Sequence, residues 1–299
     1  MAFTLSSTVT GLTDPGLAAA VLAGETSTET PITGLLAMIF PWASGSYDQA
    51  LAAPPSGYTS AVEGQEVTPE AFDQIGTASI TSAERGLSYS LSMTAYRTVP
   101  RPLLLSAFAA VGAKAPRFFE AQLAELLDDA EGTTTTIDGV AWGSAAHTSA
   151  VGNMSNLVNA ALTFSNYQTA VELLLNQEDH RGDIMGGSPT ALLVATDNMV
   201  LARQILGATH AAADDRSQPN VLAGSARAVV AADLADGHWS LFSEPQFRAH
   251  GALAVPVVAG PILTEDAQEK GTFRYRVDGR ISCGFGSPVD WRGSVIGDT

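Results

Sequence analysis

Between Asn156 and Leu206 the chain spells a helix, a tight turn, a short buried strand and a second helix, with almost no slack between them. Ala170, Val171, Leu174 and Leu175 recur at helical spacing behind Ser165, whose hydroxyl can accept from a free first-turn amide. Asp179-His180-Arg181-Gly182 ends that helix, and Gly182 can take the left-handed conformation that closes a C-terminus. After Pro189, Ala191-Leu192-Leu193-Val194-Ala195 is an apolar run of the kind that fills a central strand. Thr196 or Asp197 caps the next helix, with Val200, Leu201, Ile205 and Leu206 on one stripe. Any fold for this chain has to be built around that stretch.

The longest helical signal runs from Arg101 to Asp129, where Leu104, Phe108, Val111, Ala115, Phe118, Phe119, Leu123, Leu126 and Leu127 trace one apolar stripe. Gly112 and Pro116 should kink or divide it, because proline removes a backbone donor and crowds the preceding turn. Its acidic end, Asp128-Asp129-Ala130-Glu131, opposes the helix dipole and suggests fraying or a basic partner. Thr133–Thr136 and Asp138-Gly139 then read as a hairpin turn leading to Val140-Ala141-Trp142.

Residues 1 to 40 suggest at most one short helix on an extended arm. From Pro41 to Glu84 the chain is punctuated by Pro54-Pro55, Gly57, Gly64 and Pro69 and shows no periodicity able to build a core. That stretch nevertheless carries Trp42, Tyr47, Tyr58 and Phe72. So long an irregular segment is unusual inside a compact monomer, and its aromatics need a surface, most simply a neighbouring subunit. Ala226–Ala231 and His238–Ser243 read as strands joined at Ala235-Asp236-Gly237. Leu253–Ala259 is another, with Pro256 demanding a bulge or an edge. Phe273, Tyr275, Val277, Ile281, Cys283 and Phe285 alternate with Arg274, Arg276 and Arg280, which puts apolar residues on one strand face and arginines on the other. Those arginines are solvated or pair with carboxylates of an adjacent subunit.

Charge limits the partners. The net charge is -16, the pI about 4.5, and no Lys or Arg precedes Arg85. Such a chain repels phosphate backbones and is unsuited to reading a nucleic-acid sequence, although an acidic container for nucleic acid would not stick to its contents. One cysteine, Cys283, precludes an internal disulfide framework, and its place on an apolar strand face makes it a small buried hydrophobe. No signal peptide or membrane span is visible, which points to a cytosol as the place of synthesis or assembly.

No catalytic constellation stands out. The five histidines are scattered, no Cys pair or nucleophile elbow occurs, and Gly186-Gly187 and Gly284-Phe285-Gly286 lack the Lys-Ser/Thr of a phosphate loop. Glu178, Asp179 and Asp183 could hold a cation or act as an acid/base pair, but flanking a helix-ending turn they read better as solvated. No cofactor, metal or catalytic residue is expected. A site formed from His180 or Asp183 only in an oligomer is the enzymatic alternative.

A resemblance supplies what the chemistry does not. Gly152-Asn153, Asn159-Ala160-Ala161-Leu162, Ala170, Gln177-Glu178-Asp179, Gly182, Pro189, Leu192-Leu193-Val194 and Ala202-Arg203-Gln204-Ile205-Leu206 form an ordered series. That series resembles the tailed-bacteriophage major capsid proteins, in particular the phage Mu type of major head subunit. The likeness extends upstream from Ser82-Ala83-Glu84-Arg85 to Val99-Pro100-Arg101-Pro102-Leu103. Downstream it takes in Asp138-Gly139, His238-Trp239-Ser240-Leu241 and Val289-Asp290-Trp291-Arg292-Gly293, covering about two thirds of the chain.

The resemblance implies an α+β fold of the Hong Kong ninety-seven type. It would have an N-terminal arm (1–40), an extended loop region (41–84), a peripheral domain with a spine helix (85–187, with 271–299 returning to it) and an axial domain around a mixed sheet (188–270). A hairpin arm of about twenty residues would reach roughly 60 Å, enough to cross a neighbouring subunit. The implied function is a major head protein that self-assembles into an icosahedral shell, in hexamers and pentamers, around double-stranded DNA. It would belong to the virion, assemble in the bacterial host cytoplasm without a membrane, and work with scaffolding, portal and decoration proteins. An encapsulin-like nanocompartment shell is the alternative. Trp42, Tyr47, Tyr58, Phe72, Arg85, Arg274, Arg276 and Arg280 are the candidate subunit-interface residues. Some members of this fold weld subunits through a lysine on the extended loop, whereas this chain has only Lys114 and Lys270, neither on that loop.

Overall fold

The computed structural model describes residues 15–42, 45–52, 74–149, 152–207, 220–259 and 273–298. In chain order the first elements are α1 (Pro15–Ser27), α2 (Pro31–Leu36), β1 (Ala37–Pro41), β2 (Ser46–Ala52), β3 (Gln74–Thr81) and β4 (Ala83–Ser92). They continue as α3 (Met93–Thr98), α4 (Arg101–Gly112), α5 (Lys114–Asp128), β5 (His147–Ser149), β6 (Gly152–Met154), β7 (Leu157–Asn159) and α6 (Phe164–Leu175). The rest are β8 (Ala191–Val194), α7 (Met199–Gly207), β9 (Arg227–Val230), β10 (Trp239–Phe242), α8 (Glu244–His250), β11 (Leu253–Ala259), β12 (Phe273–Cys283) and β13 (Ser294–Asp298). These elements fall into two compact units.

The first unit comprises Met1–Tyr47, Ile80–Leu123 and Ala254–Gly286. Its sheet runs β1-β11-β12-β4, with β12 antiparallel to β4 from Phe273↔Ser92 to Cys283↔Ala83. β11 is an interior strand, and its register shifts between Val257 and Ala259. Pro256 thus lies just before an irregularity, and not at an edge. The long helical signal is divided, as its glycine and proline require: α4 stops at Gly112, Ala113 serves as its cap, and α5 starts at Lys114. Pro116 thus lies in the first turn of a helix, where its missing N–H is no loss.

The N-terminal expectation needs correction. Residues 15–36 form two helices, not at most one, and Leu17 and Val21 of α1 are buried with Leu91, Leu104 and Phe108. The alanines around Leu17 and Val21 blur the stripe, so the sequence does not look amphipathic there. α2 lacks a side-chain N-cap of its own. Its free amides are met by Glu120 of α5, which accepts from Ile32 N at 2.6 Å, Thr33 N at 3.0 Å and Thr33 Oγ1 at 2.8 Å.

The second unit comprises Asp48–Ser79, Ala124–Leu253 and Ser287–Thr299, and so holds the whole Asn156–Leu206 stretch. Its five-stranded mixed sheet has the order β7-β13-β10-β8-β9. Every residue of β8 is buried, as a continuous apolar run between two neighbours should be. β8 also separates β9 from β10, so those two strands, consecutive in sequence, are not paired. α6 and α7 bury Tyr167, Ala170, Leu174, Ala202 and Ile205 with Leu192, Val194, Trp239 and Leu241.

Several local expectations shift. α6 is capped by Thr163, not Ser165, and ends at Asn176. Gly182, at φ +91, therefore closes a separate turn, Asp179–Gly182, inside the bridge Glu178↔Ile184. Val200 is exposed, leaving Ala202, Ile205 and Leu206 as the buried stripe of α7. The acidic end of α5 is tied down: Asp128 accepts from Ala235 N, and Asp129 accepts from Thr133 N and Thr133 Oγ1. The hairpin turn forms as read, with Gly139 at φ +77, its N–H given to Thr136 O and Thr136 N given to Val140 O. β2 and β3 pair as a two-stranded sheet, so the Pro41–Glu84 stretch is partly regular.

Candidate functional site

Two kinds of place could carry a function: a polar cluster inside the second unit, and the residues whose spacing suggests subunit contacts. The cluster forms where the Val289–Ser294 segment passes the turn after α6. Gln177, fully buried, grips that segment from both sides: Oε1 accepts from Gly293 N at 2.7 Å and Nε2 donates to Ser294 O at 2.9 Å. Arg292, 1 % exposed, donates through Nε to Glu178 O at 2.5 Å and through Nη1 to Asp290 Oδ1 at 2.9 Å. His180 Nε2 lies 3.2 Å from Asp290 Oδ2 and 3.0 Å from Arg292 Nη1. Burial by itself would raise the Asp290 carboxyl, but the His180 hydrogen bond and the Arg292 charge outweigh it and hold it below the usual carboxylate range. Burial pushes the nearby His250 down, with Asp290 pulling the other way.

A second group adjoins it. His147, fully buried, stacks on Trp291 with ring centres 4.5 Å apart, and its Nδ1 lies 2.7 Å from Asp138 Oδ2. Nε2 lies 3.0 Å from Asn156 Oδ1 and 3.1 Å from Trp142 O. Burial would raise Asp138 as well; hydrogen bonds from His147, Thr136 and Val140 reverse that and lower it. A cleft of about 490 Å³ opens between the two groups, lined by Ile75, Ile137, Thr148 and Ser149 besides Asp138, His180, Asp290 and Arg292.

The acidic residues of the turn are spent on its structure. Asp179 Oδ1 accepts from Arg181 N and Asp183 N, and Glu178 accepts from Ser149 Oγ, so these carboxylates build the turn. No set of metal-ligating side chains converges among the described residues. Ser240, His238 and Asp128 do bring together the residue types of a hydrolase triad, with Ser240 Oγ 2.9 Å from His238 Nε2 and Asp128 Oδ1 3.9 Å from His238 Nδ1. Ser240 and His238 are buried, however, so no substrate carbonyl can reach that hydroxyl.

Of the candidate contact residues, Trp42 and Tyr47 form an aromatic group with Phe40. Ring centres are 5.0 Å apart for Trp42–Tyr47 and 4.6 Å for Phe40–Tyr47, and Trp42 Nε1 donates to Ser46 O at 3.0 Å. Both rings are half-buried. Arg85 is exposed on β4, with its guanidinium 5.9 Å from the Phe118 ring centre. Arg276 and Arg280 stand opposite Ser90 and Gly86 on β12, and Arg274 falls where that register shifts; the described residues do not include their side chains. Tyr58 and Phe72 lie outside the described residues. Sequence reasoning gave Arg292, Gln177 and Glu120 no role in a site. The one available signal was the charged pair Asp290 and Arg292 on either side of Trp291.

A family model described as phage capsid protein matches residues 74–296. A search of curated proteins finds no match. Among solved structures, the capsid of bacteriophage JBD30 is similar with a TM-score of 0.56 at 12 % identity, over 70 % of this chain and 92 % of that one. The capsid of Ralstonia phage GP4 gives 0.53 at 15 % identity, over 88 % and 86 %. A virus-like particle from Pyrococcus furiosus gives 0.53 at 9 % identity, over 95 % and 98 %.

Proposed function

Because the chain belongs to the phage capsid protein family, we propose that its work is done by surfaces that meet other copies and not by a reaction centre. It is a major capsid protein with the Hong Kong ninety-seven-like fold, a shell-forming structural subunit of the virion. The observation that carries this reading is the family match across both compact units, joined to polar clusters that are consumed by internal bonds.

The finer reading has copies arranged as hexamers and pentamers around double-stranded DNA, with assembly in the host cytoplasm and help from scaffolding, portal and decoration proteins. Residues 1–40 would be the arm, 41–84 the extended loop region, 85–187 with 271–299 the peripheral domain, and 188–270 the axial domain. Trp42, Tyr47, Tyr58, Phe72, Arg85, Arg274, Arg276 and Arg280 would lie in contacts between copies, which should bury more than ~2,000 Å² per subunit. The encapsulin-like alternative uses the same fold and has no better support.

Electron microscopy of the protein produced with and without its neighbouring gene products tests the reading. Closed shells of uniform diameter are expected, with nuclease-protected DNA inside filled particles. A persistent monomer under all of these conditions would overturn the shell, and a copurifying protein cargo without DNA would favour the nanocompartment. Trp42→Ala with Tyr47→Ala should lower shell yield without unfolding the monomer.

A further inference from the structure

The net charge of -16 is not spread evenly over the chain. The first unit has nine acidic and nine basic residues, a balance of zero, whereas the second has twenty-two acidic and six basic and carries the whole excess. The surface of the first unit leans further towards positive charge, because Glu25 and Glu120 are buried. Among its described side chains the exposed carboxylates are Glu29 and Glu84, against exposed cations at Arg85, Arg97, Arg101, Lys114 and Arg117. No acidic residue occurs anywhere from Arg85 to Arg117. Among the described residues, none of Arg97, Lys114 and Arg117 is in an ion pair.

Arg85 is already given to contacts between copies; the other four stand at the two ends of α4. Arg97 and Arg101 flank its start, Lys114 and Arg117 follow its end in the first turn of α5, and a helix of 12 residues, about 18 Å long, lies between. Leu103, Ser106 and Ala110, all exposed, recur between the pairs at helical spacing and carry no charge. Neither α4 nor α5 has an acidic residue in its first turn, so these cations sit where the helix dipole disfavours them unless an anion is near. We propose that Arg97, Arg101, Lys114 and Arg117 hold the phosphate backbone of enclosed double-stranded DNA without reading its sequence. The proposal rests on the reading of the chain as a shell subunit that encloses DNA. One carboxylate of a second copy would meet one end of α4; a duplex, with a charge every ~1.7 Å of its axis, meets both. Several described carboxylates of the second unit are also taken: Asp128 by Ala235 N, Asp197 by Gly237 N and Glu244 by Arg227.

Binding of the purified full chain to a labelled duplex of arbitrary sequence, followed across salt concentrations, tests this. The slope of log K against log salt should be roughly -3 to -4, since each phosphate neutralised contributes about -0.9. The triple variant Arg97→Gln, Lys114→Gln, Arg117→Gln should bind about tenfold or more weakly at about 50 mM salt, with a slope of roughly -1. Arg203→Gln, at an exposed cation of the second unit, should change neither. A wild type that fails to bind at about 50 mM salt, or a triple variant that binds as well as the wild type, overturns the proposal. Electron microscopy of both proteins, produced with the neighbouring gene products, keeps the two readings apart. Normal shells with no duplex binding overturn the DNA contact alone. Salt-sensitive duplex binding without shells supports the phosphate contact and overturns the shell. A triple variant that loses its shells but keeps its duplex affinity overturns the proposal and assigns these cations to a second copy.

Discussion

Gly24 of α1 lies so close to Ala109 of α4 that a Cβ on the glycine would fall 1.8 Å from the Ala109 carbonyl oxygen. The reverse contact is as tight, with a Cβ on Gly112 falling 1.9 Å from Val21 O. The helices touch backbone to backbone, and neither neighbour is a side chain that can swing aside. Gly24→Ala or Gly112→Ala should force the helices apart and cost about 1–3 kcal/mol, the range for overpacking. Urea unfolding of each variant measures it, and unchanged midpoints would refute the contact.

Glu120 is 3 % exposed and serves three donors from the start of α2. Glu120→Ala leaves two buried amides and a hydroxyl unmatched, at a cost on the order of 2–4 kcal/mol. Exchange at the Ile32 and Thr33 amides should accelerate more than that of the unit at large. Equal acceleration everywhere would mean that Glu120 supports only global stability.

Acid should destabilise the second unit in two stages. His250 has a lowered folded value, so the folded state holds fewer protons than the unfolded one once pH drops below the ordinary histidine range, and stability starts to fall there. Asp290 and Asp138 also have lowered values, so their stabilisation is complete above the unfolded carboxylate range and disappears as pH falls through their folded values. Thermal melts across pH should show both declines. Asp138→Asn should weaken only the lower one; a melting temperature flat from neutrality to about pH 5 would contradict the first decline, and one flat below about pH 4 the second.

Cys283 is 2 % exposed, and burial pushes its thiol up to about 11. A maleimide at neutral pH should label it only after denaturation, because the thiolate is scarce and hidden. Rapid native labelling, read by mass spectrometry, would show that β12 opens.

With lysine present only at Lys114 and Lys270, a weld through an extended-loop amine is not available. Assembled particles boiled in SDS should run as a single band of monomer. A covalent ladder would call for a different chemistry.

Strong local periodicity made much of the fold legible. The Ala191–Val194 strand, the split between α4 and α5 and the Gly139 turn follow from apolar runs, proline sterics and glycine's freedom, all of which act within a few residues. What was misread depends on distant partners. α1 looks like a weak helix until α4 supplies the surface for Leu17 and Val21, and Gly182 looks like a helix cap until the Glu178↔Ile184 bridge gives it another turn to close. The polar clusters were opaque for the same reason. Gln177 and Gly293 are 116 positions apart, as are no two residues that a spacing rule could connect. The aromatic group was read as needing a surface, and Phe40, Trp42 and Tyr47 supply part of one for each other.

β13 occupies an interior place in its sheet, parallel to β7 on one side and antiparallel to β10 on the other. A ribosome delivers both of those neighbours first. Until Ser294–Asp298 emerges, β7 has no strand to join and β10 presents a bare row of amides and carbonyls. Closing the sheet then depends on pairing across long stretches of chain, which is slow because loop entropy is lost before the contacts form. A nascent subunit therefore carries an open, sticky edge for as long as its synthesis lasts, and crowding many such chains together early would favour wrong pairings over ordered growth.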